Sequence, residues 1–269
     1  MRKISFLSSM VILLLFSCKN QPVDNSGSTG HDATEAESQH LHWSYQGETG
    51  PEHWMEIEKE SDCGGQHQSP INIIEVDASA VSGEELLLEF SYADSTRIHD
   101  VTNNGHSIQY NFELGDSIRF KGKKYALKQI HFHEPSEHLI NGIRFPIEMH
   151  MVHAGEDGEL TVLGIMGTEG KNSAPFQFLE KFLPVEKEES KIVDEAFNLN
   201  LNLPANHKDY FHYSGSLTTP PCSENVNWIV FKEPITLSLE QVKVLRSLMP
   251  VNNYRNEQPL NDRVVLRSF

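Results

Sequence analysis

Two short alternating segments constrain this chain more than anything else in it. In Gln129-Ile130-His131-Phe132-His133, imidazoles alternate with large apolar residues, and Ile147-Glu148-Met149-His150-Met151-Val152-His153 is a second histidine-bearing run. Successive side chains on a strand point to opposite faces, so His131 and His133 are aimed together while Ile130 and Phe132 face away. If the two runs pair, His150 supplies a third ring nitrogen. Three imidazoles leave one tetrahedral position open, which is the arrangement of catalytic rather than structural zinc, one ion per chain. Neutral ligands leave its full charge to act on a bound water. Gln129 and Glu148 each lie two residues before a candidate ligand, where each can accept the ligand's other ring N–H and fix the tautomer. His153 faces the other way and reads as structural. An His-x-His pair alone more often marks two ordinary exposed or core histidines; the third histidine, with Glu148 at i−2, favours the metal.

The rest of the chain reads as mainly β. Glu85–Phe90, Ser107–Phe112, Ile118–Phe120, Leu127–His133, Ile147–His153, Thr161–Met166 and Val226–Phe231 are short alternating or β-rich runs. Turn signals separate them at Asn103-Asn104-Gly105, Gly122, Asn141-Gly142 and Gly155–Gly158. Helices are expected only at Pro175–Leu183 and, opened by a Ser238-Leu239-Glu240-Gln241 capping box, up to about Met249. With 269 residues, 38% of them hydrophobic, one all-β domain with an N-terminal appendage accounts for the length. A formal net charge of −16 argues against a nucleic-acid partner.

The appendage has its own logic. Arg2 and Lys3 precede an apolar run from Phe6 to Phe16 that is too short to span a bilayer, so residues 1–17 read as a signal peptide. The run ends in Ser17-Cys18, which resembles the lipobox of bacterial lipoproteins and implies lipidation of Cys18. An ordinary secretory signal cleaved nearby is the alternative. The expectation is export, with the protein anchored to a membrane and facing the periplasm or cell surface, or else soluble in the periplasm; the lipid would be its only membrane contact. Residues 18–39 are rich in Ser, Gly, Asn and acidic residues and read as a flexible tether. Setting Cys18 aside leaves Cys63 and Cys222, an even pair in an oxidising compartment and an expected disulfide; two buried thiols are the alternative.

His131-x-His133-x3-Glu137 also fits the metal motif of cupin barrels, which bind iron or manganese. That motif wants a glycine where Tyr125 stands and another where Glu148 follows Pro146-Ile147, so the reading is weak. A fuller resemblance covers residues 40–269. Trp43-Ser44-Tyr45, Gly50-Pro51-Glu52-His53-Trp54, Gln68–Ile73, Asn104-Gly105-His106, His131-Phe132-His133-x-Pro135-Ser136-Glu137-His138, Glu148-x-His150-x-Val152-His153, Tyr213–Cys222, Trp228-Ile229-Val230 and Arg255-x-x-Gln258-Pro259-Leu260 occur in the order found in α-carbonic anhydrases. The sequence is identified as a member of that family.

The resemblance implies a single domain with a central twisted, mostly antiparallel sheet and a few short peripheral helices. It implies reversible hydration of carbon dioxide to bicarbonate by zinc-hydroxide attack, with carbon dioxide and bicarbonate as the small-molecule partners. His131, His133 and His150 are then the zinc ligands. Thr218 would hold the hydroxide through its side-chain oxygen, with Glu137 accepting the hydrogen bond of the threonine hydroxyl. Val152, Val162, Leu217, Thr218, Thr219, Val226 and Trp228 would form the substrate pocket. His106 falls at the family's proton-shuttle position, and an imidazole titrating near neutrality suits that task. Cis peptides are expected at Ser69-Pro70 and Pro220-Pro221. Glu134 departs from the aromatic residue many members carry there, and Ser107, Ile108 and Gln109 depart from the commonest cleft residues. The competing class is a non-catalytic binding lipoprotein on the same scaffold. The sequence leaves monomer or homodimer open.

Overall fold

The computed structural model describes residues 42–269, apart from Ser82. The expected signal peptide over 1–17, Cys18 and the tether over 18–39 lie outside the described residues. Among the described residues, 13 strands join in one large twisted mixed sheet, and three short strands form a second. The two ligand-bearing strands, Lys123–His133 and Ile147–Ala154, lie side by side near its centre. Their neighbours are Ile108–Phe112 on one side and Leu160–Glu169 on the other. Most pairings are antiparallel. The exceptions are Leu160–Glu169 beside Glu224–Phe231 and Ile235–Leu237, and Leu266–Arg267 beside Ser79–Ala80; the second sheet adds Asn72–Ile73 beside Leu139–Ile140.

The alternation works as expected. Ile130, Phe132, Met149, Met151, Leu163 and Ile165 turn away from the histidines into one apolar core with Ile108, Tyr110 and Phe112. Truncating any one of the larger aliphatic or aromatic members to alanine costs about 2–5 kcal/mol. Ile108 is fully buried there, which corrects its expected place along the cleft: the residue is one position out of phase with Gln109. His153 is buried on the core side, with Tyr92 Oη donating to its Nε2 at 2.6 Å.

Element boundaries differ where chain geometry overrides composition. Residues 83–86 form a 3-10 turn and the strand begins only at Leu88. The first helix is Ala174–Glu180, with the Ser173 side chain accepting from Phe176 N–H. The second is Leu239–Leu248, with both bonds of the Ser238–Gln241 capping box present. A one-turn helix, Trp54–Ile57, was not foreseen. Strands Thr96–Asn103, Ser190–Phe197 and Tyr210–Ser216 were also missed. The first two carry polar residues on the face that opens to solvent, and the third buries His212 and Ser216. Ser69-Pro70 and Pro220-Pro221 are cis, as are Glu134-Pro135 and Leu183-Pro184.

Cys63 and Cys222 are joined in a disulfide with a sequence separation of 159 residues. It ties the loop after Tyr210–Ser216 to the N-terminal segment, where Asp62 N–H also donates to Pro221 C=O at 2.9 Å. Closing a loop of that length removes up to about 4–5 kcal/mol of unfolded-state entropy in the chain-entropy description. Reductant, or Cys63→Ser with Cys222→Ser, should lower the thermal midpoint of the oxidised protein. Peptide mapping without reductant that finds both thiols free would sink this.

Candidate metal centre

Register aligns a continuous row of residues on the open face of the sheet. Trp228 pairs with Val162, Val162 with Val152, Val152 with Gln129, Gln129 with Asn111, and Asn111 with Asp100. Directly paired residues share a face. The row therefore changes from apolar to polar between Val152 and Gln129, at the two ligand strands. One step along, His150 pairs with His131 and His131 with Gln109, which is how the sequence's two histidine runs meet. Gly164 pairs with His150, and a Cβ there would lie 3.0 Å from Glu148 Oε1 and 3.4 Å from Val230. Its missing side chain is what lets the carboxylate in.

The hydrogen bonds fix each imidazole's tautomer. His131 Nδ1–H donates to Gln129 Oε1 at 2.8 Å, His133 Nδ1–H to the Asn253 carbonyl at 2.6 Å, and His150 Nε2–H to Glu148 Oε1 at 2.8 Å. The opposite nitrogens, His131 Nε2, His133 Nε2 and His150 Nδ1, are left with bare lone pairs. His131 Nε2 and His150 Nδ1 face each other at 3.2 Å. His133 Nε2 is buried and has no hydrogen-bond partner. Ring atoms of all three residues lie within 4.8 Å of one another. Burial, with the neighbouring rings, holds His131 well below the usual imidazole range; burial takes His133 down to about 4 and lowers His150 too. All three are therefore neutral near pH 7, the form a metal requires. Lone pairs facing one another across a buried gap repel unless a cation lies between them, so the residues fit a zinc ion.

Glu148 anchors this set. Its Oε1 also accepts from His138 Nδ1–H at 2.7 Å, and its Oε2 accepts the backbone N–H groups of Glu137 and His138, each at 2.8 Å. Burial works to raise its pKa, but His138 and His150 more than offset this and hold it well below the carboxylate range. His138 Nε2 accepts from Tyr213 Oη at 2.6 Å, Tyr213 Oη meets Ser69 Oγ at 2.9 Å, and Ser69 exchanges hydrogen bonds with Ser216. This chain links the ligand strands to the loop that carries Thr218.

Thr218 is buried beside Glu137. Burial pushes the Glu137 carboxyl up to about 7, a rise opposed by His150, the Thr218 side chain and the Arg255 N–H. That N–H donates to Glu137 Oε1 at 2.9 Å, and Glu137 Oε2 lies 3.4 Å from His133 Nε2. A cation among the histidines would favour the ionised carboxylate. Val162, Val226 and Trp228 form a buried apolar cluster, with Val152 and Leu217 packed on it; Trp228 sits 4.8 Å from the His150 ring, centroid to centroid. Thr219 follows Thr218, half-exposed, and its carbonyl accepts from Cys222 N–H.

His106 is presented by a turn in which Asn104 Oδ1 accepts its N–H and that of Ser107, with Gly105 at φ +81°. Its ring stacks on Trp43 at 3.7 Å and its Nε2 meets His42 Nε2 at 3.1 Å. Burial, then His42 and Lys187, lowers it to about 4, partly countered by Glu188. Glu134 is buried and paired with Arg246, while its N–H donates to Asn253 Oδ1 at 2.7 Å. Ser107 is buried, its hydroxyl on the Phe132 carbonyl at 2.6 Å.

Sequence reasoning gave no role to Asn253, Arg255, His138, Tyr213 or His42. Asn253 is fully buried; besides its bonds to His133 and Glu134, its Nδ2 donates to the carbonyls of His106 at 2.9 Å and Phe132 at 3.0 Å. A lone loop asparagine carries no periodic signal. His138, Tyr213 and Arg255 lie inside motifs shared with the family, which is their one signal in the sequence.

Replacing Glu148 with Gln would set an amide N–H₂ against donors that now meet a carboxylate. Zinc affinity, read by competition with a chelator, should fall by about 10–100-fold; an unchanged affinity would remove Glu148 as anchor. The profile of the eukaryotic-type carbonic anhydrase family matches residues 49–269. A carbonic anhydrase of Pectobacterium atrosepticum is 36% identical over 231 residues, covering 85% of this chain and 92% of the relative. One from Neisseria gonorrhoeae is 38% identical over 234 residues, covering 86% and 90%. The α-carbonic anhydrase of Thermovibrio ammonificans, solved with sulfanilamide, superposes with a TM-score of 0.79 at 40% identity, over 84% of this chain and 98% of that one. This chain belongs to the eukaryotic-type, or α, carbonic anhydrase family of enzymes.

Proposed function

We propose that this carbonic anhydrase interconverts carbon dioxide and bicarbonate with one zinc ion on His131, His133 and His150, and that it works outside the cytoplasm, tethered through Cys18. The observation that carries the metal reading is the pair of bare nitrogens facing each other at 3.2 Å, with His133 Nε2 buried and unpartnered. Bound there, zinc supplies the Lewis acidity that makes water a nucleophile near neutral pH; carbonic anhydrase is itself the standard example of that effect.

The chain's own groups do the rest. Gln129, the Asn253 carbonyl and Glu148 hold the ligand rings in single tautomers. Glu137 takes the Thr218 hydroxyl proton as its hydrogen-bond donor, leaving Thr218 Oγ1 to accept from the attacking oxygen. That selects one orientation of the nucleophile's lone pair. Val152, Val162, Leu217, Val226 and Trp228 receive an uncharged linear substrate at no desolvation cost and disfavour the charged product. His106 is the proton acceptor at the family's shuttle position. Stacked on Trp43 and against His42, it is lowered to about 4, below the near-neutral value the sequence led us to expect, so it serves that role with its ring turned out from Trp43 into solvent. The lipoprotein anchor rests on the Ser17-Cys18 junction alone.

Metal analysis with a carbon dioxide hydration assay tests this reading. About one zinc per chain and activity blocked by an aromatic sulfonamide are expected, and a metal-free, inactive chain would point to the binding-protein alternative. Thr218→Ala should lower kcat/KM on the order of 100-fold. His106→Ala should slow turnover in dilute buffer by about tenfold and recover with added imidazole; an unchanged rate removes His106 from the proton path.

A further inference from the structure

We propose that His99, held by Asp100, is a second acceptor for the product proton at the polar end of the cleft face. The proposal rests on the hydratase reading above. Asp100 stands on the metal face of the sheet through its pairing with Asn111 and, beyond it, Gln129. Two strand spacings put it about 10 Å from the His131 strand.

A bulge makes the pair. Register steps from Ile98–Phe112 to Asp100–Asn111, which leaves His99 without a partner on that side. The next strand is irregular at the same place, between Ile192 and Glu195. Bulges re-aim side chains, and here His99 Nδ1 comes to 2.5 Å from Asp100 Oδ2. His99 is 59% exposed and Asp100 only 14%, so the carboxylate is shielded while the ring reaches solvent.

Asp100 is a fixed acceptor. Its Oδ1 accepts from Asn111 Nδ2 at 2.6 Å and Thr102 Oγ1 at 2.9 Å. Burial works against the ionised form, but hydrogen bonds from His99, Asn111 and Thr102 outweigh it and lower the carboxyl below its ordinary value. The carboxylate therefore takes His99 Nδ1–H and leaves Nε2 bare. A proton released on the open face adds to the exposed Nε2 while Nδ1–H stays bonded to Asp100, and buffer then removes the proton from Nε2. The charged neighbours on the flanking elements are mostly acidic: Glu113, Asp194 and Glu195, against Arg97, which is paired with Glu113 and Asp194, and Lys191.

The path is polar throughout. Gln109 Nε2 donates to Asn111 Oδ1 at 2.7 Å, and Thr102 Oγ1 meets Ser190 Oγ at 2.7 Å. The row Gln109, Asn111, Asp100, Thr102 thus offers water a run of donors and acceptors from beside His131 to the sheet edge. His106, by contrast, is stacked under Trp43 and engaged with His42, which limits its capacity as sole acceptor.

The test compares hydration rates of the zinc-loaded wild type, His106→Ala, and His106→Ala with His99→Gln or Asp100→Asn, in dilute and in concentrated imidazole buffer. In dilute buffer the double variants should run at least about threefold slower than His106→Ala. In concentrated imidazole all four proteins should match, which shows that the fold is intact. Independently, carbon-13 NMR of the Asp100 carboxyl should show its midpoint moving up in His99→Gln. Double variants as fast as His106→Ala in dilute buffer, or an Asp100 midpoint that does not move, would overturn the proposal. A zinc-loaded wild type that hydrates no carbon dioxide would overturn the underlying reading and this one with it.

Discussion

The Glu148 carboxylate is the interaction on which the rest of the site depends. It is fully buried and accepts four hydrogen bonds, from His150, from the His138 ring, and from the backbone of Glu137 and His138. A buried carboxylate with fewer partners would either take up a proton or cost several kcal/mol. With four it remains ionised and fixes three things together. It selects the His150 tautomer, it sets the backbone turn that aims Glu137, and it orients His138 towards Tyr213. The ligand geometry and the Thr218–Glu137 pair are therefore one structure. A change at Glu148 that disturbs the three histidines therefore also loosens the backbone that places Glu137 beside Thr218.

The same economy explains why so much polar chemistry can sit in an apolar sheet. Neutral imidazoles avoid the cost of buried cations, and burial itself keeps them neutral. The remaining excess is negative, in Glu148 and in a Glu137 carboxyl raised to about 7 by burial. A divalent ion among the histidines would balance that excess. The donor set is built for the charge that fills it.

Much of this was legible in the sequence. The period-2 alternation at 129–133 and 147–153 is enough to point three histidines at one place, because strand geometry leaves a side chain only two directions. The Ser238 cap was legible for a similar reason: it is a local bond between residues three apart. Asn253 was not legible, since its four bonds go to residues far away in sequence, and only the tertiary approach of its loop creates them. Thr96–Asn103 was hidden because its bulge sets two polar residues in a row, His99 and Asp100, between the buried Ile98 and Val101 and so breaks the apolar alternation. His106 was placed by motif and not by environment, so neither Trp43 nor His42 could be seen beside it.

The polar residues of Thr96–Asn103 fit the reaction proposed above. Hydration takes in an uncharged molecule and releases two charged ones, so a symmetric cleft would serve one and obstruct the other. The row across the sheet is asymmetric: Trp228, Val162 and Val152 on one side of the ligand strands, Gln129, Asn111 and Asp100 on the other. In the function proposed here, the apolar side would take the uncharged substrate and the polar side, whose groups hydrogen-bond water, would carry the proton away. The break in hydrophobic pattern that hid the strand Thr96–Asn103 is thus the other half of the feature that revealed Gln129–His133. Apolar alternation marks where a strand packs on the core, and its failure on the open face marks where the sheet has to carry charge.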